Sequence, residues 1–120
     1  MEKTVKPYEV ARTGDVDFVR VIEPKIAQPA LEALQRDLAK RIDEGSRKMV
    51  INLANVAFVD SFGIGVIAAT ARKLQNAGGQ MRLCGVGDRV KMSLTITRLD
   101  KNLEVLEDEA QAVRSFGAKT

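Results

Sequence analysis

Residues Met49 to Asn76 read MVINLANVAFVDSFGIGVIAATARKLQN, and the fold follows from them. The stretch opens as a strand: Met49, Val50, Ile51 and Leu53 are apolar and the run is rich in β-formers. A nearly continuous apolar run of this length suits a strand buried on both faces, in a sheet flanked by helices. A short connection, Ala54 to Val59, leads to Asp60-Ser61-Phe62-Gly63-Ile64-Gly65. Beyond it Ile64, Ile67, Ala68, Ala71 and Leu74 recur at steps of three and four, one face of a helix. Ser61 stands where an N-cap belongs, just before the periodic residues.

This placement has chemical consequences. The first N–H groups of a helix lack internal partners and carry partial positive charge. An oxygen on Ser61, or a phosphate on it, faces that positive end. Gly63 and Gly65 have no side chains, so another molecule can approach the first turn closely. The plainer alternative makes Ser61 an ordinary cap and the glycines a tight packing contact.

The strand, the Asp-Ser-Phe-Gly-Ile-Gly-Val-Ile turn, the helix, Gly78-Gly79 and the strand Met81-Arg82-Leu83-Cys84 follow in one order. This order resembles the anti-sigma factor antagonist family, the STAS domains, whose signature is a strand, then Asp-Ser-(Ser/Thr)-Gly-(Leu/Ile)-Gly, then a helix. The resemblance runs from about Phe18 to Val113 and is densest from Val50 to Gly85. In phosphorylatable members the serine directly after the aspartate takes the phosphate, which is Ser61 here. Two departures stand out. Phe62 occupies a position that usually carries a small hydroxyl residue. Upstream, Val21-Ile22-Glu23-Pro24-Lys25-Ile26 replaces a Gly-x-Leu-Asp type of turn.

At 120 residues the chain is expected to form one domain, residues 1–120 with a core of about 8–116. A hydrophobic fraction of 45% and a charged fraction of 29% are those of a soluble globular protein. No apolar run approaches the ~20 residues that span a bilayer. The first ten residues lack the apolar core of a signal peptide, so a cytoplasmic location is expected. Cys84 is the only cysteine, so no internal disulfide forms; in its apolar strand it reads as a buried, inert thiol. The net charge of +3 is dispersed, with no basic stripe or interleaved aromatics, which argues against direct binding of nucleic acid. The absence of histidine removes the commonest general base and, with a single cysteine, argues against a zinc site. No cofactor is expected.

Met1 to Lys6 is polar and expected to be loose at its start. Tyr8 to Arg12 and Asp17 to Ile22 read as strands joined by Thr13-Gly14-Asp15, a hairpin that Pro24 closes off. Gln28-Pro29 opens a helix with an apolar stripe of Ala27, Leu31, Leu34, Leu38 and Ile42. Glu32-Arg36 and Asp37-Arg41 are spaced as ion pairs on its outer face, and Gly45 stops it. Gly78-Gly79 ends the central helix and Met81 to Gly85 is the next strand. In Asp88 to Thr97, alternation of Val90, Met92, Leu94 and Ile96 favours a strand. The spacing of Val90, Leu94 and Thr97 behind an Asp88 cap, with the family resemblance, favours a helix, which is the reading adopted. Leu103 to Leu106 is a last strand, and Glu109 to Phe116 a last helix with Ala110 and Val113 turned inward. The sum is an α/β fold: a mixed, mainly parallel sheet opened by an N-terminal hairpin, with helices packed on it. It places Asp60-Ser61 at the carboxyl end of a central strand, where α/β folds expose their sites.

Three functions fit. The resemblance implies an anti-sigma factor antagonist that acts in transcription regulation by partner switching in bacteria. Its unphosphorylated form binds an anti-sigma factor that is also a serine kinase, and so releases the sigma factor. The kinase phosphorylates Ser61 from ATP and switches binding off; a metal-dependent serine phosphatase restores it. The expected partner surface is Asp60, Ser61, Phe62, Gly63, Gly65, Val66 and Ala69, with Phe62, Val66, Ala69 and Lys73 as an exposed stripe on the helix. A non-switching STAS scaffold or ligand-sensing module is the alternative. An enzyme with Ser61 as nucleophile is disfavoured, because no histidine can act as its base and Gly-x-Ser-x-Gly is absent.

Overall fold

The computed structural model describes residues 7–25, 28–101 and 103–116. The expectations for Met1 to Lys6 and for Ala27 lie outside them. Strands β1 (Tyr8–Thr13) and β2 (Val16–Val21) form an antiparallel hairpin about Gly14-Asp15, and Gly14 takes the left-handed φ of 63° that such a turn requires. Helix α1 (Gln28–Asp43) leads to β3 (Lys48–Asn52), which pairs with β2 in parallel. Helix α2 (Ser61–Asn76) crosses to β4 (Gln80–Cys84), α3 (Asp88–Ile96) to β5 (Glu104–Leu106), and α4 (Glu109–Phe116) follows. All strand pairs after the hairpin are parallel, and the sheet order is β1-β2-β3-β4-β5.

Alternation along β3 divides the core. Met49 and Ile51 face α1, α2 and α3, where they meet Leu34, Leu38, Ile67, Leu74 and Leu94. Val50 faces the other way with Phe18, Cys84 and Ala112, beneath α4. Both faces of β3 are therefore covered, as its unbroken apolar run requires. Between the two outer layers, Gly79 sits so close to the backbone of Arg47 that any Cβ would overlap the Arg47 carbonyl oxygen. That contact lets the start of β4 draw in beside β3, and Gln80 N–H donates to the same carbonyl at 2.8 Å.

Two details differ from the sequence reading, while α3 forms as the helix adopted for it. Asp88 does not cap α3: the cap position is Gly87, with no side-chain bond. The alternating residues of α3 are also helical i,i+4 pairs, and the helix buries Val90 and Leu94 while leaving Met92 and Ile96 exposed. In α4 the inward residue is Ala112, with Phe116 packed beside it, whereas Ala110 and Val113 face solvent. The rotation of α4 is set by Glu109, which takes two bonds from Arg20 of β2, at 2.7 and 2.8 Å, and one from Asn52 of β3, at 2.8 Å. Residues 109, 112 and 116 thereby share the sheet-facing side. On the outer face of α1 the Asp37–Arg41 pair forms, at 3.0 Å.

Candidate functional site

Asp60, Ser61 and the first turn of α2 lie beyond the carboxyl end of β3, the middle strand of the five. The cap differs from the sequence expectation. Asp60, with extended backbone, is the N-cap, and Ser61 is the first helical residue. Asp60 Oδ1 accepts the N–H of Gly63 at 2.9 Å, and the Asp60 carbonyl accepts that of Ile64 at 2.9 Å. The reason is chemical: a carboxylate one residue earlier is as good a cap as a hydroxyl and also meets the positive helix end. Ser61 is released from structural duty. It is exposed at the positive end of a sixteen-residue helix, next to a carboxylate.

The two glycines have different roles. A Cβ on Gly63 would lie 2.7 Å from Val59 Cγ1, so Gly63 is a packing glycine that brings the connection down onto the helix. A Cβ on Gly65 would meet nothing within 4 Å. Gly65 is exposed, and close approach from outside is possible there.

The expected outer stripe is shifted by one position. Val66 is only 5% exposed, because it points into the seam between α1 and α2. Phe62 and Lys73 are half-buried, and Ala69 is exposed. The outward line is Ser61, Gly65 and Ala69, at steps of four. It runs into an open groove between α1 and α2 whose rim carries Asp43, Arg47, Arg72 and Lys73. Lys73 and Asp43 close an ion pair across this groove at 2.9 Å.

Sequence reasoning missed the support of the 53–60 connection. Asn52 Oδ1 accepts the N–H of Ala54 at 2.9 Å while its amide donates to Glu109, so one side chain fixes both the exit of β3 and the seat of α4. An asparagine at a strand end is the available signal, since its amide readily bonds backbone two residues on. Phe58 is exposed, and the Arg89 guanidinium lies 5.4 Å from its ring centre, which joins the connection to α3. Cys84, at the end of β4, faces α4 beside Val50; burial, reinforced by the charges of Glu109 and Asp108, pushes its thiol up to about 11 and keeps it protonated. Among the described residues no group of His, Cys, Asp and Glu could hold a metal ion, and no helix is long and apolar enough to cross a membrane.

Comparison with known proteins agrees with this arrangement. The STAS domain family model matches residues 8–112. The anti-sigma-B factor antagonist of Staphylococcus aureus is 30% identical over 102 residues, which cover 85% of each chain. An anti-sigma factor antagonist from Mycobacterium paratuberculosis superposes with a TM-score of 0.78 at 24% identity, over 90% of this chain and 91% of that one. The Bacillus cell fate determinant SpoIIAA, in its phosphorylated form, superposes with a TM-score of 0.75 at 17% identity, over 91% of this chain and 98% of that one. The chain therefore belongs to the STAS domain family, and it is similar in sequence to proteins named anti-sigma-B factor antagonist.

Proposed function

We propose that this protein is a cytoplasmic anti-sigma factor antagonist switched by phosphorylation of Ser61. The unmodified chain binds an anti-sigma factor with serine kinase activity and so frees the sigma factor; phosphate on Ser61 ends that binding, and a metal-dependent serine phosphatase restores it. The whole chain, residues 1–120, acts as one regulatory module. The observation that carries this reading is the release of Ser61 from capping. An exposed hydroxyl at a helix start, with the cap supplied by Asp60, can be modified without removing a bond the fold uses.

The energetics favour a change of affinity over unfolding. Phosphorylation adds about −1.5 to −2 charge. The helix end offsets part of it, while Asp60 beside it repels. A partner matched to a neutral hydroxyl meets an unpaired charge instead, which is costly where the interface is dry. The docking surface in this reading comprises Asp60, Ser61, Phe62, Gly65 and Ala69. Gly63 and Val66 support it from beneath. SpoIIAA, which shares the fold, has been solved phosphorylated, which supports the reading without assigning the residue here. Asp60 is engaged as the cap, so it is poorly placed to act as a base for Ser61, and a binding role is favoured over catalysis.

The test is incubation with ATP and the cognate kinase, followed by mass spectrometry of the modified peptide. Modification of Ser61 is expected. Ser46 is buried and bonded to Asp17 at 2.5 Å, so Ser93 is the informative competitor. Phosphate on Ser93 with Ser61 spared sinks the switch. The presence of Phe62 in place of a hydroxyl residue favours one second reading, a STAS scaffold or ligand-sensing module without a phosphate cycle.

A further inference from the structure

A cavity of about 60 Å³ lies beneath the start of α2. Leu31 and Leu34 of α1, Ile51 of β3, Val59 of the connection, and Val66 and Ile67 of α2 line it. Two exposed residues of opposite charge, Lys25 and Asp60, stand at its rim. One polar residue, Thr70, lines it from within α2 and is 4% exposed. The Thr70 hydroxyl bonds to nothing among the described residues, and none of their fully enclosed side-chain polar atoms is left without a partner. Thr70 is the one uncharged polar side chain in the lining, and we take its hydroxyl as the cavity's hydrogen-bonding group.

We infer that the cavity is a binding site for a small, uncharged, mostly hydrocarbon molecule with a single hydrogen-bonding group, such as a short-chain alcohol. Size, lining and charge each restrict the ligand. The volume is several times the roughly 10–15 Å³ that one water needs, which admits a few heavy atoms. Water is a poor occupant of its inner part, because a buried water needs about two to four polar partners and the walls away from the rim offer one side-chain hydroxyl. A pure hydrocarbon fills the walls but leaves the Thr70 hydroxyl without a bond, at the cost of an unsatisfied buried polar group. A molecule with one hydroxyl and a short chain satisfies both. The rim carries one positive and one negative side chain, so it offers no net attraction to a charged ligand. Chains longer than the cavity extend past this rim.

The site also borders the switch. Asp60 and Gly63, the two ends of the capping bond, both line the cavity. An occupant therefore presses on the start of α2 where Ser61 is presented. That consequence alone rests on the switch reading; the binding itself does not.

The experiment is a methyl-detected NMR titration of the full chain with 1-propanol, and separately with xenon. Saturable shifts confined to the methyls of Leu31, Leu34, Val59, Val66 and Ile67 are expected with both probes. Thr70→Val keeps the shape and removes the hydroxyl. It should weaken 1-propanol about fivefold and leave xenon within about twofold, the scale of one net hydrogen bond. Leu31→Phe, at a half-buried wall position, fills the space and should abolish both sets of shifts. Three outcomes overturn the proposal: shifts that rise linearly and spread over the surface, equal 1-propanol binding by Thr70→Val, or xenon binding without 1-propanol, which marks a dry packing void. None of these arms uses the protein partner, so failure of the switch leaves the binding result standing.

Discussion

The Arg20 guanidinium on β2 and the Glu109 carboxylate at the start of α4 meet through two parallel bonds, at 2.7 and 2.8 Å, across 89 residues of sequence. This fork is the main polar tie between the sheet and its second helical layer. The Arg20 bonds hold the Glu109 carboxyl below the usual carboxylate range, against the opposing effect of burial, and the Asn52 amide helps. A carboxylate lowered in the folded state contributes stability above its unfolded value, ~4.3, and loses it as pH falls through the folded value. Wild type should therefore be more stable than Glu109→Gln at pH 7, and the two should converge in acid below both values. Urea midpoints at pH 7 and near pH 3 measure the gap; an equal gap at both ends would place the effect in packing.

Asp60 caps α2, and the proposed switch falls on its neighbour Ser61. Asp60→Ala should cost about 0.5–2 kcal/mol, the usual loss of a cap. Ser61→Ala should leave stability within about 0.5 kcal/mol, as for a surface change away from special features. Chemical denaturation of both variants decides the order. A reversed order would return the cap to Ser61.

Gly63 and Gly65 separate packing from access. Gly63→Ala pushes a methyl into Val59 and should destabilise by about 1–3 kcal/mol, an overpacking cost. Gly65→Ala meets no neighbour and removes a helix-interior glycine, so it should stabilise by about 0.5–1 kcal/mol. It should nevertheless weaken the partner, because the added methyl stands on the Ser61–Gly65–Ala69 line. Thermal melts beside calorimetric binding test both halves. A stabilised Gly65→Ala that binds as wild type would move the interface off this line.

Ser61→Ala and Ser61→Asp should share near-wild-type stability and differ in binding. The alanine variant should bind the anti-sigma partner constitutively; the aspartate variant should bind weakly, since it carries charge to the same place. One carboxylate supplies less charge than a phosphate, so stoichiometric phosphoserine should block more fully. Calorimetry on wild type, both variants and phosphoprotein makes the comparison, and equal affinities across all four would leave the scaffold reading.

Ile67→Ala tests the inward face of α2. Ile67 packs in the main core, and its truncation should cost about 2–5 kcal/mol by urea unfolding. A change near zero would mean that a different face of α2 bears on the sheet.

The order of elements was legible because β3 and α2 carry clean, opposite periodicities and glycines punctuate what lies between. Local phase was less so. Val66 reads as exposed on a helical wheel, yet it is buried because α1 packs beside α2 as well as the sheet beneath, widening the covered arc. Ala112 was invisible as the inward residue of α4, because the rotation of that helix comes from Arg20 and Asn52, distant in sequence. At the site, Asp60 and Ser61 are both good caps, and sequence alone does not rank neighbours. The cavity beside Thr70 had no local signature, since it is a space shared by α1, α2, β3 and the connection.

The strands lie in the sheet in the order in which they occur in the chain. Each new strand joins a free edge, and none must be threaded between two that are already paired. A ribosome delivers about 5–20 residues per second. The hairpin can pair first, β3 can then add to β2, and β4 to β3, each as it emerges. The last additions, β5 and α4, complete the sheet at its second edge and cover its second face. Until the final helix clears the exit tunnel, Phe18, Val50 and Cys84 have no cover on that side, so the interval before α4 docks is when a nascent chain is most open to unwanted association.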